Sequence, residues 1–143
     1  MSDEAHALEH SLEVQLPFLQ RVAPKAKVVP FAIGATTTAD VAEAIARLWG
    51  GPETRFVISS DLSHYLPYAT ARACDQSTAA LIEHFDGARI GPDQACGSNA
   101  IAGMLAHARG LGLAIERLDL RNSGDTAGPR DRVVGYGSWA LVE

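Results

Sequence analysis

The stretch Arg55–Ser60, RFVISS, constrains the fold more than any other part of this chain. Its apolar centre runs without alternation, the signature of a strand covered on both faces. A chain with such a strand must also find layers to cover it, and candidates lie on either side. Asp40–Trp49 is an alanine-rich helix that the threonine run before it can cap and that Gly50-Gly51-Pro52 stops. A long helix is predicted from about Ala69 to Phe85, and another over Gly97–Leu111, closed by Gly110 and Gly112. Strands are predicted at Ile115–Arg121, at Val133–Val142 and at Lys27–Ile33, where Pro30 argues for an edge position. Glu9–Val22 reads as an amphipathic helix carrying Leu12, Leu16 and Leu19, kinked or broken into two short turns at Pro17. Helices alternating with apolar strands make an α/β layered domain. So few strands leave an open sheet edge unless others come from elsewhere.

Composition narrows the partners. The 143 residues contain no repeat, no low-complexity segment and no linker long enough to divide them, so residues 1–143 read as a single domain. A net charge of −5 argues against nucleic acid, which needs a clustered basic face. No apolar run reaches the ~18 residues of a membrane span. The N-terminal MSDEAHALEH is polar and acidic, unlike a secretory signal or transit peptide. Cys74 and Cys96 are too few for a disulfide framework and lack CxxC spacing. A cytoplasmic location is the expectation.

Three loops carry the candidate chemistry. Ser59-Ser60-Asp61-Leu62-Ser63-His64 follows the RFVI strand, where ligands bind in open α/β sheets. Asp61 and His64, three apart, can share a turn in which the carboxylate orients the imidazole or both face a metal. Equally, Asp61 can cap the next helix and His64 can be a surface histidine. Cys96, in Ala95-Cys96-Gly97-Ser98-Asn99, stands at the start of an apolar helix. The positive end of a helix favours a thiolate, which serves as metal ligand or nucleophile, but an unpaired cysteine is also a common buried residue. Cys74, inside a helix, reads as inert core. In Asn122-Ser123-Gly124-Asp125-Thr126, the serine, glycine and aspartate make a turn or shape one wall of a pocket. His10 and Glu13, at i and i+3 on one helical face, suit a pocket-lining role or a helix-start hydrogen bond better than a metal pair of their own. His6, His84 and His107 read as solvated helix residues.

Taken together, these segments resemble the Memo family, known in bacteria and archaea as AmmeMemoRadiSam system protein B. Glu9-His10-Ser11-Leu12-Glu13-Val14-Gln15-Leu16-Pro17-Phe18-Leu19 is similar to its EHSxEVQLPFL signature, and Ser59–His64 to its SSD loop. Ala95-Cys96-Gly97 is similar to its CG helix start, although Ala100 stands where a proline is usual. Asn122–Asp125, followed by Arg132-Val133-Val134-Gly135-Tyr136, is similar to its SGD…VVGY ending. Order and spacing match over essentially the whole chain.

The resemblance implies a three-layer α/β/α fold like that of class III extradiol dioxygenases, of which this chain carries only the C-terminal portion of the sheet. It implies a metal held by two histidines from the family's first half and by the cysteine of the CG motif, here Cys96. Asp61 and His64 would line the same pocket as catalytic residues, with His10, Glu13, Ser123 and Asp125 around them. The APHAGY-like and GPSHH-like motifs that supply the two histidines do not occur in this sequence. Iron or copper is therefore expected only with the missing N-terminal half. With that half, the expectation is metal-dependent oxidoreductase activity on a small molecule, His64 acting as acid and base. The alternative is a non-catalytic binding or metal-handling module with a vestigial pocket. Further expectations are self-association through an open edge and, from the family name, AMMECR-type and radical SAM partners.

Overall fold

The computed structural model describes residues 10–143. Two compact units are distinguished, divided between Ala35 and Thr36. In the first, a 3-10 turn at Glu13–Gln15 leads into helix α1, Leu16–Val22. Pro17 lies in the first turn of α1, where its missing N–H costs no helical bond. The predicted break at the proline is thus a 3-10 turn followed by a short helix, while Glu9 and His6 lie outside the described residues. Lys27–Ile33 joins no ladder among the described residues, and Val28, Val29, Phe31 and Ile33 are exposed. The expected strand there is corrected. β-Branched residues favour extended backbone, but a strand exists only with a partner, and Pro30 removes one donor.

The second unit opens with helix α2, Thr38–Leu48. Thr37 Oγ1 accepts from the Asp40 N–H at 3.1 Å and the Asp40 carboxylate accepts from the Thr37 N–H at 3.3 Å, closing a capping box. Residues 55–60 follow without joining a ladder, which corrects the expected doubly covered strand. Phe56 and Ile58 pack beside Val41, Ile45 and Met104, while Val57 between them is 56% exposed. The unbroken apolar run reported what the segment can bury, not that this chain supplies both covers.

Strand β1, His64–Leu66, then leads to helix α3, Tyr68–Glu83, and helix α4, Ser98–Gly110. The chain ends in strands β2, Ala114–Asn122, and β3, Val133–Val142. Their sheet has the order β1-β3-β2 and both pairings are antiparallel. Helices and this three-stranded sheet make an α/β fold. Leu62, Ile82, Ile90, Ala95 and Leu105 form the larger core cluster, flanked by Phe85, Ile115, Leu120 and Trp139. It therefore runs from α3 and α4 to the sheet and ends beneath the Ser59–His64 loop. No helix among the described residues is long and apolar enough to cross a membrane.

Candidate functional site

The Ser59–His64 loop is fastened to the middle of the sheet. Leu62 N–H donates to Gly135 O, and Gly135 N–H donates to Ser63 O, each at 2.8 Å. Leu62 and Ser63 are buried by this pairing, leaving Asp61 and His64 partly open on either side. His64 Nε2 lies 3.6 Å from Asp61 Oδ2, an ion-pair distance longer than a hydrogen bond. Beyond His64 the register slips: His64 faces Val134 and Leu66 faces Val133, so Tyr65 is an extra residue. Tyr65 has φ +56°, a left-handed conformation that strains a bulky side chain. A bulge of this kind redirects neighbouring side chains, and here its neighbour is His64.

Cys96 is brought to the same loop. Its N–H donates to Asp61 O at 3.3 Å, and the next residue, Gly97, donates its N–H to Ser60 Oγ at 2.9 Å. Cys96 Sγ lies 3.6 Å from Ser60 Oγ and 3.8 Å from Asp61 O. Gly97 makes the approach feasible, because a Cβ there would come within 2.8 Å of the Ser60 Cβ. Gly97 is also the N-cap of α4, so Cys96 stands just before the helix and is exposed. Cys74 is half-buried within α3, and burial pushes its thiol above the usual range.

The Ser123–Asp125 loop is used differently. It forms a 3-10 turn capped by Asn122, whose Oδ1 accepts from the Gly124 N–H at 3.0 Å. Asp125 Oδ2 accepts from the Asn122 N–H at 2.9 Å, and Asp125 Oδ1 accepts from the Tyr68 hydroxyl at 2.5 Å. The Tyr68 hydroxyl, followed by the Asn122 amide, holds the Asp125 carboxyl below its usual range. Ser123 Oγ accepts from the Val134 N–H at 3.1 Å, beside the point where Val134 faces His64. In the first unit His10 and Glu13 are exposed and bond each other, Nδ1 to Oε1, at 3.0 Å. His84 is bonded to its own helix at Ala80 O, whereas His107 is half-buried with its ring edge-on to Trp49. The latter corrects its reading as a solvated residue.

Two residues were given no role by the sequence reading, although Tyr136 closes the match to the VVGY ending. Asp75 is 2% exposed, within the buried stripe Ala71, Asp75, Thr78, Ala79 and Ile82 of α3. Its Oδ1 accepts from the Ser63 N–H at 3.0 Å, and burial pushes its carboxyl above the usual range against the pull of that bond. A Cβ on Gly135 would fall 2.1 Å from Asp75 Oδ2, so only glycine lets the carboxylate and the strand approach this closely. A lone carboxylate inside an apolar helical stripe was the available signal. Tyr136 follows Gly135 on the outward side of β3. Burial, then the proximity of Asp61 and Tyr65, raises its phenol pKa, so the hydroxyl keeps its proton and can donate to a ligand.

Asp61, His64 and Cys96 thus share one stitched surface, which Tyr136 adjoins. Among the described residues, no three His, Cys, Asp or Glu side chains converge to hold a metal ion.

Comparison with known proteins matches residues 1–140 to the family model described as Memo-like protein. A MEMO1 family protein of Archaeoglobus fulgidus is 36% identical over 143 residues, covering 92% of this chain and 54% of that protein. Another, from Methanosarcina barkeri, is 35% identical and covers 92% and 54%. A third, from Aeropyrum pernix, is 35% identical and covers 94% and 52%. The chain spans about half the length of the curated relatives it matches.

Proposed function

Because this chain belongs to the Memo-like family, we propose that it supplies one wall of a dioxygenase-like metal pocket whose other donors lie outside these 143 residues. The supporting observation is the stitching of residues 60–61 to residues 96–97, which presents Cys96, Asp61 and His64 together on loops anchored by the sheet and by α4. In the full arrangement these loops sit at the C-terminal portion of a three-layer α/β/α sheet, and the portion of the relatives that this chain does not span brings the remaining ligands.

The roles follow from the side chains. Cys96 would hold iron or copper through its sulfur. Asp61 orients His64, and His64 takes or gives a proton at Nε2. Tyr136 donates a hydrogen bond from its phenol into the same space. When bound, the metal supplies redox chemistry on a small molecule. The second reading is a non-catalytic module that binds or hands on metal.

The test joins this chain to the portion of a full-length relative that it does not span. Cys96→Ser in that form is expected to lower iron or copper uptake by at least about tenfold, the scale on which a lost ligand or its support is felt. Unchanged metal content would remove Cys96 from the site.

A further inference from the structure

Among the described residues, two other than glycine take the left-handed backbone region, Phe85 and Tyr65, each at φ +56°. Phe85 has a local reason. It ends α3, where its N–H donates to Ile82 O at 3.0 Å and the Asp86 N–H donates to Leu81 O at 2.8 Å, the paired bonds that close a helix through a left-handed residue. Its side chain then packs on the larger core cluster. Tyr65 has neither support. It is the extra residue of the bulge between His64 and Leu66, a left-handed place usually given to glycine, and it is 63% exposed. Burial is not what keeps it left-handed.

What meets the exposed ring is a cation. The Arg132 guanidinium lies 5.0 Å from the centre of the Tyr65 ring, within reach of a cation–π contact. Arg132 is placed there by β3, since the next residue, Val133, is fully buried and faces Leu66 across the ladder. Three residues after Tyr65 the pattern repeats. The Arg130 guanidinium lies 4.5 Å from the Tyr68 ring, and the Tyr68 N–H donates to Arg130 O at 3.0 Å. Residues 130–132 thus lie against residues 65–68 as a short strap with two arginine-over-tyrosine contacts. On its other account the Tyr65 ring neighbours the His64 imidazole, 5.9 Å away and tilted by 52°. One exposed ring therefore meets both the strap and the histidine.

We propose that Tyr65 is a positioning residue for His64, clamped in its left-handed conformation by Arg132, and that this clamp fixes the direction of the imidazole relative to Asp61. This rests on the reading of His64 as the proton-handling residue of the pocket wall, but its test needs no metal. A left-handed tyrosine relaxes toward extended backbone unless its surroundings hold it. In a bulge that relaxation re-aims the neighbouring side chain, because successive residues of a strand point to opposite faces. His64 Nε2 would then leave its place 3.6 Å from Asp61 Oδ2. Glycine at position 65 would keep the bulge without strain but would leave His64 without its neighbouring ring. Stability and orientation therefore separate at this position.

The experiment is NMR relaxation of the His64 ring, read at its Cε1–H in the 143-residue chain, with Tm measured alongside. The parent ring is expected to be nearly as rigid as ordered backbone, with an order parameter of about 0.85. In Arg132→Gln and in Tyr65→Gly it is expected to fall below about 0.6, the flexible range. The Tm of Tyr65→Gly is expected to stay close to that of the parent, relief of strain offsetting the greater freedom of the unfolded glycine. Tyr65→Phe keeps the ring beneath Arg132 and is expected to match the parent in both readouts. Arg109→Gln, in the last turn of α4, controls for the loss of a charge and is expected to match it too. A mobile His64 ring in the parent, a rigid one in Arg132→Gln, or a Tyr65→Phe that behaves like Tyr65→Gly would overturn the proposal. So would a Tyr65→Gly whose Tm falls together with its order parameter, which would make Tyr65 merely structural. Failure of the pocket-wall reading shows instead in metal content, and leaves these ring measurements unchanged.

Discussion

Two aspartate-bearing loops, Ser59–His64 and Asn122–Asp125, read alike in the sequence and are used in opposite ways. In the second, both Asp125 oxygens are consumed by the Asn122 amide and the Tyr68 hydroxyl. In the first, the backbone does the fastening through Gly135, and Asp61 is left beside His64 at 3.6 Å without being consumed. A carboxylate saturated by its own turn holds structure. One released from that duty, because the main chain anchors the loop instead, is available for chemistry.

The largest expected effect comes from breaking the anchor of the first loop. Gly135→Ala places a methyl 2.1 Å from Asp75 Oδ2 and is expected to destabilise the fold by about 1–3 kcal/mol or more, measured by denaturant unfolding. A variant as stable as the parent would show that the close approach of β3 and α3 does not hold the loop. Next in size, Asp125→Ala removes the acceptor of the Asn122 N–H and the partner of Tyr68, and a clear fall in Tm is expected. If Tm held, Asp125 would lose its role as a strut and the contrast with Asp61 would go with it.

Asp75 sharpens the comparison through pH. Burial raises its carboxyl pKa from the ordinary 3.8, so the folded chain holds this proton more tightly than the unfolded chain. The stabilising contribution is therefore full below 3.8 and is lost as pH rises through the raised folded value. Asp75→Asn keeps an acceptor for the Ser63 amide and removes the titration. The Tm of the parent relative to this variant is expected to rise between about pH 7 and about pH 4, and a constant difference would count against the buried charge. The smallest effect is expected for Asp61→Asn, whose stability should change by no more than about 0.5 kcal/mol by the same unfolding measurement. A large loss would make Asp61 a structural carboxylate like Asp125.

The elements legible in the sequence were those that carry their own signals. Thr37 and Asp40 announce α2 through a capping box, and Val133–Val142 needs only the neighbouring Ala114–Asn122 to form a ladder. Lys27–Ile33 and Arg55–Ser60 have strand composition, yet composition does not say whether a partner strand lies within the same chain. Strand β1 was hidden for the converse reason: His64–Leu66 is made by pairing with Val133 and Val134 of β3 rather than by local preference. The same division runs through the site. Asp61, His64 and Cys96 could be read from motifs after loop-like runs, whereas Asp75 and Tyr136 matter through what α3 and β3 bring near the loop. Their local sequence carries only a misplaced carboxylate and a tyrosine in alternation with glycine.

The most direct test of the pocket-wall account is elemental analysis of this chain purified alone and purified together with the portion of a full-length relative that it does not span. Stoichiometric iron or copper in the combined sample and none in the chain alone is the predicted result. Stoichiometric metal bound by the chain alone, or none in either sample, would contradict it.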